Sequence, residues 1–285
     1  PSAIAGAERL VAHKLTGQFD DARARLARAL EQESAPVVVA GGGISGVELA
    51  GELADLSKTR PDGWNAPKVT LVTVGDRLVE NLPASVARRA DRALRGQGVE
   101  IKYGMRLVEV GQEEVVVEHR GDSETLACSL AFWAGGVTPG AILGELGLPR
   151  TDDGWLAVGP TLQCFPTSDA KRYDIFACGD AVRIEGGEGR WPTMQRAIEC
   201  LWQAKVVAKN LVKLLKEKKG YPDGLPPLVP HTLRESFPYG VSIGGKSLLV
   251  LGNVATHVPG VTHRFRRFLM RQYFARYTPL SPNDR

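Results

Sequence analysis

Three glycines at fixed spacing, Gly41-x-Gly43-x-x-Gly46, stand between an apolar run, "VVVA" at 37–40, and a stretch that reads as a helix. That order suits a dinucleotide pyrophosphate. Gly41 permits the tight turn off a strand, Gly43 lets the backbone approach the phosphates, and Gly46 lets helix and strand pack closely. The N–H groups and dipole of a helix opening at Ile44 and Ser45 favour an anion. A glycine turn of this kind also occurs in ordinary α/β domains. Here strand, loop, helix and a second strand, "KVTLVTV" at 68–74, follow in order.

The end of the second strand should carry the group that meets the adenosine ribose. Thr73 stands near that position and is neither acidic nor basic. Asp76, three residues on, is placed to bond a ribose hydroxyl, whereas Arg77 suits a 2′-phosphate. The ribose rule favours NADH and leaves NADPH open. The alternative is an exposed turn pair that touches no ligand. Glu48, one turn into the helix, also complements the helix dipole.

Other chemistries find little support. The four cysteines, Cys128, Cys164, Cys178 and Cys200, form no CxxC pair, and the histidines are scattered, so no metal site is expected. Such spacing suits buried thiols in a reducing compartment. No apolar run is long enough to span a bilayer as a helix. Residues 264–285 hold six arginines against one aspartate, so the basic charge lies in the tail and the rest is close to neutral. A nucleic-acid role needs a broader basic surface and a binding motif.

The elements that position these residues read as follows. Residues 1–35 contain a charged, alanine-rich helix, "FDDARARLARALEQE". From 36 to 133 the pattern is a βαβ unit, a helix "SVARRADRALRGQG" and a β-meander. The second half has strands in "GWLAVGPTLQC" and "YDIFACGDAV", a long helix after Trp191, and a hairpin turning at Gly244 and Gly245. In the tail, Phe265, Phe268, Leu269 and Tyr273 fall near one helical face, with Arg264, Arg267 and Arg271 away from its centre. A basic amphipathic helix of this kind lies on an anionic membrane surface or docks on its own domain.

"GGGISGVELAGEL", "AFWAGGVTPG", "YDIFACGDAV" and "QAKVVAKNL" occur in that order, at suitable separations. Together they resemble the two-dinucleotide flavoprotein reductases, and among them the type II NADH dehydrogenases, single-subunit NADH:quinone oxidoreductases, over residues 36–255. The resemblance implies an α/β fold: a Rossmann-like NAD(H)-binding domain with a β-meander at 36–133, part of an FAD-binding domain with a quinone-facing helix at 134–255, a linker at 1–35 and a basic tail at 256–285. It implies NAD(H) and FAD as cofactors. Ala134, Gly135 and Gly136 mark the crossing back to the flavin domain, and Asp180, with Gly179 and Ala181 beside it, bonds the ribitol. Glu48 lies near the nicotinamide end, where it orients the ring or influences protonation of the reduced acceptor. Gln203 matches a later glutamine of the quinone-facing helix, or is an ordinary polar helix residue. Ala197 is followed by Ile198, a departure from the family's Ala-Gln.

The implied reaction passes hydride from NADH to FAD and electrons to a membrane quinone, on a protein peripheral to the cytoplasmic face of the membrane, with a homodimer also open. The family's first FAD motif precedes the nicotinamide motif by roughly a hundred residues. Only 40 residues precede Gly41, so the chain is expected to be an N-terminally truncated flavoenzyme or an isolated NAD(H)-binding module. Sulfide:quinone oxidoreductases share the architecture, and there Cys164 and Cys200 would be the redox pair.

Overall fold

A computed structural model describes residues 4–12, 16–164, 175–184, 196–217, 227–233, 239–251 and 254–256, with Arg264, Arg267, Phe268 and Arg271 of the tail. The chain divides into two compact units, residues 1–136 with 238–285, and residues 137–237.

In the first unit α1 (Thr16–Leu30) precedes β1 (Pro36–Ala40), α2 (Ile44–Thr59), β2 (Lys68–Val72), α3 (Ala84–Arg95) and β3 (Glu100–Lys102). A meander follows, β4 (Arg106–Val110), β5 (Glu114–His119) and β6 (Asp122–Ala127), and then β7 (Leu130–Trp133). The parallel sheet runs β3-β2-β1-β7. Successive side chains of a strand point to opposite faces, so "VVVA" serves two cores. Val37 and Val39 pack with Val47, Ala50 and Leu53 of α2 and with Val86, Ala90 and Leu94 of α3. Val38 and Ala40 face Leu107, Val110, Val115 and Val117 of the meander. With both faces covered, β1 has no room for a polar side chain. The segment before α1 belongs to this unit too: the N–H of Val11 donates to the Ala131 carbonyl at 2.8 Å, and that of Trp133 to the Val11 carbonyl at 3.1 Å.

The second unit holds α4 (Ile142–Glu145), the parallel pair β8 (Leu156–Val158) and β9 (Val182–Ile184), and α5 (Ala197–Glu217). Its core gathers Trp155, Leu156, Leu162, Cys164 and Val182, with Val206 and Val207 of α5 against them. The Arg183 guanidinium lies 4.5 Å from the centre of the Trp155 ring, a cation–π contact that also covers the indole. The strand expected through "YDIFACGDAV" is broken. Phe176 bridges Gln163, and Gly179, at φ +84°, opens a 3-10 turn over Gly179–Ala181 before β9.

The chain then returns to the first unit as β10 (Tyr239–Ile243), β11 (Lys246–Leu251) and β12 (Val254–Thr256). Gly244 and Gly245 have φ of +47° and +65°, the left-handed pair that a two-residue hairpin turn requires. Val241, Ile243, Leu248 and Val250 join the same core as Val37 and Val47. Gly51 of α2 permits this approach: a Cβ there would lie 2.8 Å from the Ile243 Cα. The apolar face of the hairpin thus belongs to the core of the first unit. Among the described residues no helix is long and apolar enough to cross a membrane, and no group of His, Cys, Asp and Glu is arranged to hold a metal ion.

Candidate functional site

The glycine loop lies at the carboxyl ends of the parallel strands, where open α/β sheets take their ligands. Gly41 has φ +131°, and a Cβ on it would lie 2.3 Å from the Ala134 carbonyl oxygen. Ala134 in turn donates its N–H to the Ala40 carbonyl at 2.8 Å. "GGG" and "WAGG" are thus neighbours, at the ends of adjacent strands β1 and β7. Gly46 is pressed against the loop, since a Cβ there would meet the Gly41 oxygen at 1.8 Å. Gly43 differs from both. It caps α2 and faces open space, with nothing within 4 Å of a Cβ. The first bond of the α2 ladder is Val47 N–H to the Gly43 carbonyl, 3.0 Å. The N–H groups of Ile44, Ser45 and Gly46 precede that ladder, as at any helix start. The Gly43 backbone is uncovered.

Thr73 is buried beneath the loop, with its Oγ1 2.5 Å from where a Gly42 Cβ would stand, and it accepts the Gly75 N–H at 3.3 Å. Its hydroxyl thus supports the loop from within. Asp76 is exposed. Arg77 donates to the carbonyls of Leu82 at 3.1 Å and Glu80 at 2.5 Å, so both terminal nitrogens of the guanidinium brace their own loop. Gly135 and Gly136 are exposed, and the Trp133 Nε1 donates to the Gly136 carbonyl at 3.2 Å. Val79, which carried no signal in the sequence, has φ +43° and donates its N–H to the Gly42 carbonyl at 2.7 Å. A β-branched residue seldom adopts such a φ; here buried packing and two backbone bonds to the loop and to Leu82 hold it.

Glu48 is half-buried, and its Oε1 accepts the Ser242 N–H at 2.9 Å, while the Ser242 hydroxyl donates to Glu52 Oε1 at 2.8 Å. Glu48 and Glu52 of α2 therefore both dock the hairpin.

In the second unit Asp180 is exposed on the turn, and the Cys200 thiol donates to its Oδ1 at 3.3 Å. Gln203 is fully buried on α5; its Oε1 accepts the Gly179 N–H at 2.7 Å and its Nε2 donates to Glu199 Oε1 at 3.3 Å. Glu199 is also fully buried and bonds His231 Nε2. The i, i+4 spacing of Glu199 and Gln203 was legible on a helix; the part played by His231, on another segment, was not. Burial, with the Asp180 bond and charge added, pushes the Cys200 thiol up to about 11. Cys178 also acts electrostatically on Cys200. Cys164 lies fully enclosed in the unit core, and burial raises its pKa.

Residues 5–204 match the pyridine nucleotide-disulphide oxidoreductase family. A type II NADH:quinone oxidoreductase of Staphylococcus aureus is 29% identical over 215 residues, which cover 72% of this chain and 51% of the relative. The chain thus spans about half the length of the curated relatives it matches. Among solved structures, NDH2 from Plasmodium falciparum in complex with NADH superposes with a TM-score of 0.73 at 13% identity, covering 95% of this chain and 71% of that one. The sulfide:quinone oxidoreductase from the hyperthermophilic bacterium Aquifex aeolicus gives 0.75 at 14% identity, covering 95% of this chain and 65% of that one. At such identities the likeness is one of fold. The chain belongs to the pyridine nucleotide-disulphide oxidoreductase family. Within that family the curated relative it matches is a type II NADH:quinone oxidoreductase.

Proposed function

We propose that the first unit binds NAD(H), and that the protein is a flavoprotein oxidoreductase that takes hydride from NADH and passes electrons to a quinone. The observation that carries the reading is the uncovered backbone of Gly43 at the start of α2, beside the Ala134–Gly136 turn. The N–H groups of Ile44, Ser45 and Gly46 hold the pyrophosphate, and the helix dipole adds to their attraction. Asp76, exposed past β2, bonds the ribose. NADH is preferred because Arg77 already bonds two carbonyls of its own loop.

The exposed Asp180 on the Gly179–Ala181 turn fits a polyol and accepts ribitol hydroxyls. FAD, when bound, supplies hydride acceptance and onward release of electrons. The chain's own residues bind and orient: Asp180 holds the ribitol, while Gln203 holds the turn. The quinone as acceptor rests on the relatives' names. The exposed Arg264, Arg267 and Arg271 of the tail support attachment to an anionic membrane face.

The test is a visible absorption spectrum of the purified chain before and after FAD addition, together with NADH titration by fluorescence. A bound-flavin spectrum that bleaches with NADH, and recovers on adding a soluble quinone, is the expected result. NADH binding with no flavin uptake leaves an isolated NAD(H)-binding module. Loss of both sinks the proposal.

A further inference from the structure

The turn that carries Asp180 is tied to the body of its unit through a short polar chain inside the protein. Gly179 donates its N–H to Gln203 Oε1 at 2.7 Å, Gln203 donates from Nε2 to Glu199 Oε1 at 3.3 Å, and His231 Nε2 bonds the same carboxylate oxygen. Gln203 and Glu199 have no exposed surface, and His231 is buried. The His231 N–H donates to the Pro160 carbonyl at 2.8 Å, which anchors the far end of the chain. Glu199 Oε2 has no hydrogen-bond partner among the described residues.

A primary amide presents two chemically different ends, and what surrounds it decides which end faces where. Glu199 Oε1 accepts from Gln203, so the amide turns its NH₂ toward Glu199. That leaves Oε1 toward Gly179, whose N–H needs an acceptor. With the amide reversed, two donors would face each other at Gly179, and an acceptor would face the carboxylate. Gly179 takes a φ of +84° in the turn. Linked hydrogen bonds also polarise one another.

We propose that Glu199, steadied by His231, is a positioning residue: it sets the orientation of the Gln203 amide, and through it the Gly179–Asp180 turn that is to hold the flavin. The flavin half of this statement rests on the function proposed above. The relay from Glu199 to Gly179 does not.

Gly179 is the sole glycine preceded by a cysteine in the chain. Carbonyl-¹³C cysteine and ¹⁵N-glycine in the full 285-residue chain therefore single out one amide resonance, that of Gly179, in a triple-resonance spectrum. In Glu199→Gln the carboxylate becomes an amide of the same shape that can present either end. The Gly179 proton is expected to move upfield or split, with the melting temperature close to that of the unmodified chain. Gln203→Leu moves it further, and adding Glu199→Gln to Gln203→Leu changes it no more, because the relay is already cut. His231→Gln gives a shift in the same direction as Glu199→Gln, and serves in its place should that variant fail to fold.

A Gly179 resonance unmoved in both Glu199→Gln and His231→Gln overturns the relay. Additive shifts in the double variant also overturn it. FAD titration of the same proteins forms the second arm: Gln203→Leu is expected to bind FAD about tenfold more weakly, the loss of one hydrogen bond. Should the unmodified chain bind no FAD, the flavin reading fails, while the Gly179 resonance still decides the relay.

Discussion

The carboxylate of Glu48 accepts the main-chain N–H of Ser242 at 2.9 Å, joining α2 to a hairpin strand 194 residues away. The residue therefore has a structural task whatever it does at a nicotinamide ring. Glu48→Ala leaves a partly buried N–H without this acceptor, a loss of about 1–2 kcal/mol. In a protein of this size that lowers Tm by roughly 2–4 °C. Ser242→Ala keeps the main-chain bond and loses only the hydroxyl to Glu52, so its effect is expected to stay under about 1 kcal/mol. Thermal denaturation of the two variants measures the difference. An NADH titration of Glu48→Ala shows separately whether the carboxylate also serves the nucleotide.

Gly43 and Gly46 are expected to respond in opposite ways to alanine. At Gly46 the new methyl would stand 1.8 Å from the Gly41 oxygen, so loop or helix must shift and Tm must fall. At Gly43 the methyl enters open space at φ −72°, so the fold is spared while a pyrophosphate resting there is displaced. The expected result is an unchanged Tm and NADH affinity reduced at least tenfold. Unimpaired NADH binding in Gly43→Ala would place the ligand elsewhere.

The Arg77 guanidinium bonds the carbonyls of Glu80 and Leu82. Arg77→Ala should therefore loosen the loop after β2 and weaken NADH and NADPH alike. The ratio of the two affinities, by fluorescence titration, is expected to stay within about threefold. A selective loss of NADPH would mean that the side chain leaves its carbonyls for a 2′-phosphate.

With its pKa pushed up to about 11, the Cys200 thiol is ~0.1% ionised at pH 8, and the thiolate is the reactive form. Iodoacetamide should label it slowly in the folded chain, by mass spectrometry. Burial is the first cause of the shift and Asp180 the second. A negative neighbour disfavours the thiolate, so Asp180→Asn should lower that pKa and speed labelling. Cys128, also raised to about 11 by burial, should not respond to that substitution. Fast labelling of Cys200 in the unmodified protein would revive the sulfide-type redox reading.

Arg264, Arg267, Phe268 and Arg271 are exposed in helical conformation. The remaining members of the apolar face named from the sequence, Phe265, Leu269 and Tyr273, lie outside the described residues. Vesicles containing an anionic lipid should bind the chain, and neutral vesicles should not, with binding weakened by salt. Replacing the three arginines by glutamate should abolish it, as read by co-sedimentation.

The glycine loop, the alternation that sends Val37 and Val39 to one core and Val38 to the other, and the Gly244–Gly245 turn could all be read from the sequence. Each depends on a residue's own conformational range or on the period of a strand, and both are local. The partners of Glu48 and Gln203 could not be read in this way. A carboxylate one turn into a helix looks the same whether it meets a nicotinamide, a helix dipole or Ser242. The packing of the hairpin on Gly51 made the choice. Gln203 likewise suits solvent, a quinone or a buried turn equally well. Burial beneath Gly179, with the Glu199 and His231 pair behind it, decided which. Sequence specified the groups able to bond, but their partners lie on distant segments, and only folding brought donors and acceptors within reach and removed the water that would otherwise have satisfied them.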